Sequence, residues 1–266
     1  MSGTDIWLIG CGTMGGAMLR RWLAAGIPAA RVTVIDPAGD ADVPEGVRRV
    51  EHAPDEPPPA LAILAVKPQQ LDAAVAELAP WQGQPPLLMS ILAGVEAATL
   101  RAKLGVTMVV RAMPNLPVLI GKGVVALWTD SLDDAQRADV ESLARPLGVV
   151  EWLADEAQFH AVTALAGSGP GFVLRIVEAM AAAGTRVGLP ADQALRLAVA
   201  TVEGSAALAA ATGEAPRALA NRVASKGGTT QAGLDVLDSD GALNRLVADS
   251  IAAAARRSRE LAEASR

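Results

Sequence analysis

The fold class of this chain is decided by residues Ile6–Gly15, which read Ile-Trp-Leu-Ile-Gly-Cys-Gly-Thr-Met-Gly. The four apolar residues predict a buried strand, and the G-x-G-x-x-G pattern after them opens a helical pattern over Thr13–Ala25. In this context Gly10 permits a tight turn, Gly12 lets a pyrophosphate approach, and Gly15 lets the helix pack on the strand. The stretch therefore predicts the first βα unit of a dinucleotide-binding domain, and a glycine-rich turn without a ligand is the less favoured alternative.

Short apolar runs continue to alternate with helical patterns through the first half of the chain. Further strands are predicted at Val32–Ile35, Leu61–Val66, Leu87–Leu92, Val106–Arg111 and Gly123–Trp128. Helices are predicted at Leu71–Leu78, Ala97–Leu104 and Ser131–Leu147. This alternation predicts an α/β fold over residues 1–155, with a Rossmann-type, doubly wound, mostly parallel sheet and helices on both faces.

The second half, residues 156–266, has helical patterns and is rich in alanine. Helices are predicted at Glu156–Leu165, Gly171–Val187, Pro190–Ala211, Ala215–Val223, Thr229–Leu237 and Gly241–Ala264. So many small side chains leave few large residues for a core of its own. We therefore expect an all-helical dimerisation domain that packs against a second copy, with a monomeric helical cap as the alternative.

Composition excludes several classes of protein. The chain has 266 residues, is 51% hydrophobic and carries a net charge of −6, which argues against a nucleic-acid surface. The single cysteine, Cys11, excludes an internal disulfide and suits a reducing compartment. No signal peptide, membrane span or metal-ligand spacing is read from the sequence. We expect a cytoplasmic protein without a bound metal.

Asp36 ends the second predicted strand, where the adenosine ribose of a bound dinucleotide would lie. A carboxylate there accepts hydrogen bonds from ribose hydroxyls and repels a 2′-phosphate, so Asp36 favours NADH over NADPH. The alternative is that Asp36 only starts the Asp36-Pro37 turn. Arg31, Arg48 and Arg49 could still reach a phosphate.

Two other polar residues follow predicted strands. Lys67 could be catalytic, but we favour a solvated lysine that positions the backbone before Pro68. Asn115 has a donor and an acceptor and could contact the nicotinamide end of a cofactor, or it could simply form a turn with Pro114. We expect Gly167–Pro170 to form a tight break in the chain.

A second anion site is predicted at Ser225-Lys226-Gly227-Gly228-Thr229-Thr230, directly before the helix Thr229–Leu237. Adjacent glycines let the backbone approach a ligand, and the amides at a helix start attract an anion. The two threonine hydroxyls can donate or accept hydrogen bonds. The segment suits a small carboxylate that carries a neighbouring polar atom.

These motifs together resemble the pyrroline-5-carboxylate reductase family, from about Ile6 to Leu261. The similarity is carried by the glycine fingerprint and by Ala65–Gln69, Arg111–Asn115, Ala166–Pro170 and Ser225–Leu237. It implies hydride transfer from NADH or NADPH to C5 of a cyclic imine, giving L-proline. It also implies a homodimer or an assembly of dimers, with an active site formed between the domains and shared across the dimer.

The resemblance also implies roles for individual residues. The substrate carboxylate would be held by the amides of Gly227 and Gly228, with Ser225 and Thr229 in the same turn, and Thr230 would hydrogen-bond the ring nitrogen as the catalytic residue. Cofactor contacts would be made by Ile9, Gly10, Cys11, Gly12, Thr13, Met14, Asp36, Pro37, Ala65, Val66, Lys67, Pro68, Ile91, Leu92 and Ala93.

One residue departs from the family pattern. Lys226 stands where a proline is usual, and it either helps to bind a carboxylate or points to water. Two alternatives to the family's activity stay open. One is a related imine or β-hydroxyacid reductase. The β-hydroxyacid enzymes use a lysine of the helical domain as acid/base, and the predicted helical domain has only Lys226, which weakens this alternative. The other is a non-catalytic regulatory protein that senses NAD(H).

Overall fold

A computed structural model of the chain describes residues 5–37, 42–81, 83 and 87–263. Within them one sheet has the strand order β3-β2-β1-β4-β5-β6-β7-β8. The strands are β1 Ile6–Ile9, β2 Val32–Ile35, β3 Arg48–Val50, β4 Leu61–Leu64, β5 Leu87–Ser90, β6 Met108–Pro114, β7 Gly123–Trp128 and β8 Gly148–Trp152. Only the pairing of β6 with β7 is antiparallel in this described sheet. The predicted doubly wound, mostly parallel sheet is confirmed.

The helices of the described residues follow the predicted pattern closely. They are α1 Thr13–Ala24, α2 Leu71–Glu77, α3 Ala97–Leu104, α4 Asp134–Ala144, α5 Phe159–Val162, α6 Gly169–Arg186, α7 Ala191–Thr212, α8 Pro216–Val223, α9 Thr229–Asp238 and α10 Ala242–Glu263. Short 3-10 turns extend several of them. As predicted, strands end before residue 153 and the described chain beyond it is helical.

The sheet is buried on both faces, as expected for parallel strands. In β1, Ile6 and Leu8 join the hydrophobic core that contains α1, while Trp7 and Ile9 join the core on the opposite face, which contains α3. Trp22 fixes α1 by donating from Nε1 to the Leu143 carbonyl oxygen at 2.8 Å. The strand order reverses between β1 and β4, which is where dinucleotides bind in sheets of this type.

The structure adds two strands that the sequence pattern did not predict. β3 carries two arginines and lacks an apolar run, and it forms by pairing Arg48 with Thr33 and Val50 with Ile35. β8 pairs with β7 from Gly148 to Trp152 at the other edge of the sheet. Both are edge strands, whose partially exposed side chains give a weak hydrophobic signal.

The predicted break at Gly167–Pro170 is wrong. A π-helical turn spans Thr163–Gly167, and α6 begins at Gly169, so the backbone stays helical through this glycine-rich segment. Pro170 fits because a proline in the first turn of a helix gives up an N–H that has no partner within the helix.

The chain divides into two compact units. The first contains Met1–Ser168 together with Ala254–Arg266, and the second contains Gly169–Ala253. The first unit therefore extends past the predicted boundary at residue 155 and also includes the end of α10. The second unit is built from α6, α7, α8, α9 and the beginning of α10.

In the second unit, α6 and α7 pack closely because small residues meet between them. A Cβ on Gly184 would lie 3.3 Å from the Ala194 Cβ, so glycine there permits the close approach. Many large apolar side chains of this unit are exposed; on α6 and α7 they include Leu174, Ile176, Leu195, Leu197 and Leu208. By length and hydropathy alone, α7 is the one helix of the described residues that could span a membrane, and little of it is buried within the chain.

Candidate functional site

The glycine fingerprint forms a tight turn between β1 and α1. Gly10 has φ of +90°, and a Cβ there would lie 2.9 Å from the Ala65 carbonyl oxygen. A Cβ on Gly15 would lie 2.5 Å from the Gly10 carbonyl oxygen. Any larger residue at either position would displace the backbone of the turn, so both glycines are needed to bring α1 against the strands.

Gly12 faces open space. No heavy atom of the described chain, apart from its immediate neighbours, lies within 4 Å of the position that a Cβ on Gly12 would take. Gly12 also stands at the N-cap of α1, and within the described residues it has no side-chain capping hydrogen bond. Amides at the start of a helix with open space before them suit a phosphate group. The geometry leaves room for a phosphate at Gly12, and the cofactor role of this residue stays a prediction.

Asp36 is anchored to the glycine turn. Its Oδ2 accepts a hydrogen bond of 2.7 Å from the backbone N–H of Cys11, and the residue is only 8% exposed. Burial raises the pKa of the Cys11 thiol, and the Asp36 carboxylate raises this pKa further. The protonated thiol is therefore favoured over the reactive thiolate, so Cys11 fills space in the turn rather than acting as a nucleophile.

A cavity of about 350 Å³ opens over the carboxyl ends of β1, β2 and β4. The structure brings together around it the predicted cofactor residues Ile9, Gly10, Cys11, Gly12, Asp36, Pro37, Ala65, Val66 and Lys67. Its wall is completed by residues that sequence reasoning missed, namely Ile35, Gln70, Ala73, Ala74 and Glu77. These additions come mainly from α2, whose facing residues carry no cofactor motif.

Other predicted cofactor residues lie outside the described lining of this cavity: Thr13, Met14, Pro68, Ile91, Leu92, Ala93 and Asn115. Thr13 and Met14 are the first two residues of α1, and Pro68 directly follows Lys67. Ile91, Leu92 and Ala93 follow β5 and line a separate small recess together with Met113. The recess lies further along the same edge of the sheet, beyond β4.

The three arginines considered as phosphate ligands have different surroundings. Arg31 forms an ion pair with Asp5 at 3.6 Å, and Arg48 pairs with Glu56. Arg49 has two buried guanidinium nitrogens, Nε and Nη2, that lack a hydrogen-bond partner among the described residues. Of the three, Arg49 keeps the most unused hydrogen-bonding capacity.

Lys67 and Asn115 differ in their exposure and in their hydrogen bonds. Lys67 is exposed, and its backbone N–H donates to Gln70 Oε1 at 3.1 Å, an arrangement that matches the favoured positioning role. The Asn115 side chain is buried and hydrogen-bonded to the backbone at Val124 and Ala166. This arrangement favours a structural role for Asn115 over contact with nicotinamide.

The predicted substrate segment forms a hydrogen-bonded turn in the second unit. The Gly228 N–H donates to the Ser225 carbonyl oxygen at 2.9 Å, and Gly227 has φ of +75°. A Cβ on Gly228 would lie 2.5 Å from Ser225 Oγ, whereas no described heavy atom beyond the adjacent residues lies within 4 Å of a Cβ on Gly227. A side chain at Gly228 would therefore crowd Ser225, whereas Gly227 leaves the turn open to a ligand.

The two threonines follow directly on this turn. Gly228 is the N-cap of α9, and Thr229 and Thr230 are its first two residues. Gly228 makes no side-chain capping hydrogen bond within the described residues, and both threonines are exposed. The turn therefore presents helix-start amides and two hydroxyl groups on one short segment, and its role in substrate binding stays a prediction.

His52 and His160 each lie close to a polar side chain of another segment. His52 Nδ1 lies 3.2 Å from Glu77 Oε2, and Glu77 lines the cavity over β1, β2 and β4. His160 Nδ1 lies 3.0 Å from Ser258 Oγ. In the part of the chain that the structure describes, no three His, Cys, Asp or Glu side chains are grouped so that they could hold a metal ion.

Comparison with known proteins relates both halves of the chain to reductases. Residues 156–261 match the family model described as pyrroline-5-carboxylate reductase dimerisation, and residues 5–94 match the one described as NADP oxidoreductase, coenzyme F420-dependent. The pyrroline-5-carboxylate reductase of Pseudomonas aeruginosa is 36% identical, covering 99% of this chain and 98% of the relative. The Escherichia coli enzyme is 33% identical, covering 89% of this chain and 90% of the relative.

Solved structures lead to the same group of proteins. A pyrroline-5-carboxylate reductase from Coxiella burnetii superposes with a TM-score of 0.89 at 32% identity, covering 97% of this chain and 98% of that one. The Plasmodium falciparum pyrroline carboxylate reductase with NADP bound has a TM-score of 0.83 at 22% identity, covering 98% of this chain and 99% of the other. The second comparison shows a shared fold.

Proposed function

The chain belongs to the pyrroline-5-carboxylate reductase family, and from this premise we propose how its own residues perform the reaction. The enzyme reduces 1-pyrroline-5-carboxylate to L-proline with a reduced nicotinamide dinucleotide. A hydride adds to C5 of the protonated cyclic imine, the C=N double bond becomes a single bond, and the nitrogen keeps its proton as an amine. The observation that carries the proposal is that one chain has both a dinucleotide fingerprint and the Ser225–Thr230 turn.

The dinucleotide would lie across the carboxyl ends of the strands. Asp36 follows β2, the glycine turn follows β1, and Ile91 follows β5, so these groups span three strand spacings, or about 14 Å. We assign the ribose to Asp36, the pyrophosphate to the amides around Gly12, and the nicotinamide to Ile91–Ala93. When bound, the reduced nicotinamide supplies the hydride.

Asp36 supports a preference for NADH. Its carboxylate is held against the Cys11 N–H and lines the cavity, where a 2′-phosphate would bring negative charge close to it. Ribose hydroxyls, in contrast, can donate hydrogen bonds to this carboxylate. The family model matched by residues 5–94 is described as an NADP oxidoreductase, and the assay described below compares the two cofactors.

The substrate would be held by the turn that ends in Thr230. The Gly227 N–H suits the carboxylate because Gly227 is open to a ligand, and Gly228 is the N-cap of α9. The Gly228 N–H donates to the Ser225 carbonyl oxygen in the turn, so it would have to share or exchange this bond to hold the carboxylate. We assign the Thr230 hydroxyl to the ring nitrogen, with Ser225 and Thr229 shaping the same turn. A protonated imine is already electrophilic, so these residues need only orient the nitrogen and C5.

Self-association follows from membership of a family with a dimerisation domain, and we propose that the assembly is a homodimer or is built from dimers. The exposed apolar residues of α6 and α7 support this, because covering them with a second copy removes a large apolar surface from water. The same association accounts for the apolar composition of α7 without a membrane. We also propose a cytoplasmic location, in keeping with a single, buried, free cysteine.

The test is a spectrophotometric assay of the purified protein with pyrroline-5-carboxylate. We expect loss of nicotinamide absorbance with both cofactors and a higher kcat/KM for NADH. A lack of oxidation with either cofactor would refute the proposed reaction, and a higher kcat/KM for NADPH would refute the role of Asp36. Light scattering after size exclusion should give a mass of at least twice 27.2 kDa.

A further inference from the structure

One carboxylate, that of Glu156, joins two elements at the end of the sheet where nicotinamide is assigned. Its Oε1 accepts hydrogen bonds from the backbone N–H of Ala97 at 2.8 Å and from Arg111 Nη1 at 2.9 Å. Ala97 is the first residue of α3, so Glu156 caps this helix from a position 59 residues away in sequence. A negative charge is favourable at a helix N-terminus.

Arg111 is buried beneath this cap. It is 7% exposed, and its guanidinium carbon lies 4.2 Å from the centre of the Phe159 ring. Burial lowers the pKa of Arg111, whereas the hydrogen bond to Glu156 raises it. The Glu96 carboxylate also raises the pKa of Arg111, but Glu156 accepts a hydrogen bond from the guanidinium. Loss of the Glu156 charge would leave the buried arginine less well compensated, so the position of each side chain depends on the other.

The backbone that leads from β5 to α3 is held at a second point. Gly94 has φ of +76°, and a Cβ there would lie 3.3 Å from Ala262 Cα in the last turns of α10. The same end of α10 is held by the contact of 3.0 Å between Ser258 Oγ and His160 Nδ1. The segment Ile91–Gly94 is therefore fixed by the Glu156 cap after it and by the backbone of α10 beside it.

We propose that Glu156 and Arg111 are positioning residues for hydride transfer, which hold Ile91–Ala93 in place against the nicotinamide ring. This inference rests on the proposed function, because the nicotinamide assignment comes from there. The contacts themselves all lie within the first compact unit. The end of α10 supports the same segment as Glu156 and Arg111, because its packing against Gly94 limits how far Ile91–Ala93 can move away from the nicotinamide ring.

The test compares Glu156→Gln with wild-type enzyme. Glutamine keeps an acceptor for the Ala97 N–H but loses the charge that holds Arg111. We measure binding of NADH and of ADP-ribose, which lacks the nicotinamide, together with kcat and the KM for each substrate. We expect NADH binding or kcat to fall roughly tenfold, as for loss of a charge-assisted hydrogen bond, while ADP-ribose binding stays within about twofold. The matched control is Glu141→Gln, a half-buried acid that pairs with Arg145 and accepts a hydrogen bond from Trp152 Nε1. Glu141 belongs to α4, which packs in the core on the opposite face of the sheet from α3.

A second pair of variants tests the contact with α10. Gly94→Ala and Gly26→Ala place alanine at similar φ, +76° and +92°. A Cβ at Gly94 would meet the backbone of α10, whereas no heavy atom of the described residues, apart from the adjacent ones, lies within 4 Å of a Cβ at Gly26. We expect Gly94→Ala to lower kcat or NADH affinity more than Gly26→Ala does, again with ADP-ribose binding unchanged.

Binding of ADP-ribose distinguishes failure of the positioning role from failure of the proposed dinucleotide site. If ADP-ribose does not bind to the wild-type enzyme, the dinucleotide site itself is wrong and the inference fails with it. If ADP-ribose binds to all variants and Glu156→Gln keeps wild-type NADH binding and kcat, only the positioning role is overturned. Equal losses for NADH and ADP-ribose in Glu156→Gln would also overturn that role, because they would indicate a general loss of structure.

Discussion

Asn115 and Ala166 are joined by a hydrogen bond of 2.9 Å in which the Asn115 Nδ2 donates to the Ala166 carbonyl oxygen. Through Oδ1 the same amide accepts from the Val124 N–H at 2.8 Å. Ala166 lies in the π-helical turn Thr163–Gly167, and Val124 lies in β7. One side chain thus ties the helical segment before α6 to the sheet.

Replacing Asn115 with alanine should destabilise the fold. The variant leaves the Val124 N–H and the Ala166 carbonyl group without these partners, at a cost of about 1–3 kcal/mol for each group that stays unsatisfied. Urea denaturation should show the loss in the free energy of unfolding. Unchanged stability together with weaker NADH binding would instead support the nicotinamide contact predicted from the sequence.

Asp36→Asn should shift the cofactor preference toward NADPH. Asparagine keeps an acceptor for the Cys11 N–H but removes the negative charge that faces a 2′-phosphate. We expect the ratio of kcat/KM for NADPH to that for NADH to rise on the order of tenfold. Asp72→Asn is the control, because Asp72 pairs with Lys103 on an exposed surface. An unchanged ratio would remove Asp36 from cofactor selection.

Thr230→Val should lower turnover and leave NADH binding intact. Valine has the shape of threonine but cannot hydrogen-bond the ring nitrogen, so kcat should fall on the order of tenfold. Thr201→Val is the matched control, since the Thr201 hydroxyl donates to the Leu197 carbonyl group within α7. Wild-type kcat in Thr230→Val would exclude this hydroxyl from the mechanism.

Lys226→Pro should preserve the substrate turn. The Gly228-to-Ser225 hydrogen bond and the positive φ of Gly227 are typical of a type II turn, whose second position favours proline. Thermal unfolding should show a gain of about 0.5–1 kcal/mol, because proline restricts the unfolded chain. We expect the KM for the imine to stay within about twofold, since a surface ammonium is screened by water and salt. A large, salt-dependent rise of KM in both Lys226→Pro and Lys226→Ala would assign the ammonium to the carboxylate.

Cys11 should react slowly with thiol reagents. Burial, reinforced by Asp36, raises the pKa of this thiol, so the reactive thiolate is scarce at neutral pH. A thiol whose pKa is raised in the folded state stabilises the fold fully below its unfolded pKa of about 8.5. This stabilisation is lost as the pH rises through the folded-state pKa. Labelling with a chromogenic disulfide should therefore be slow at pH 7 and faster at alkaline pH. At a given pH, labelling should be slower with NADH bound than without it. Rapid labelling that NADH does not affect would contradict this account of the glycine turn.

Local patterns predicted most of the elements. Ala97–Leu104 is helical over the predicted residues, because its apolar spacing and the glycine after it are properties of neighbouring residues. β3 was missed because two arginines and a valine carry no strand pattern of their own. Its hydrogen bonds come from β2, which lies at least a dozen residues earlier in the chain.

The candidate functional residues also divide into those that local sequence predicts and those that only the fold brings together. The sequence by itself determined the glycine turn, Asp36 and the Ser225–Thr230 turn, since each is a short segment whose chemistry depends on adjacent residues. Only the tertiary structure decided that α2 completes the dinucleotide cavity, that Asn115 is engaged by backbone groups, and that Glu156 joins Arg111 to the start of α3. These relationships depend on packing and hydrogen bonds between distant segments, and no spacing along the chain encodes which distant groups will meet.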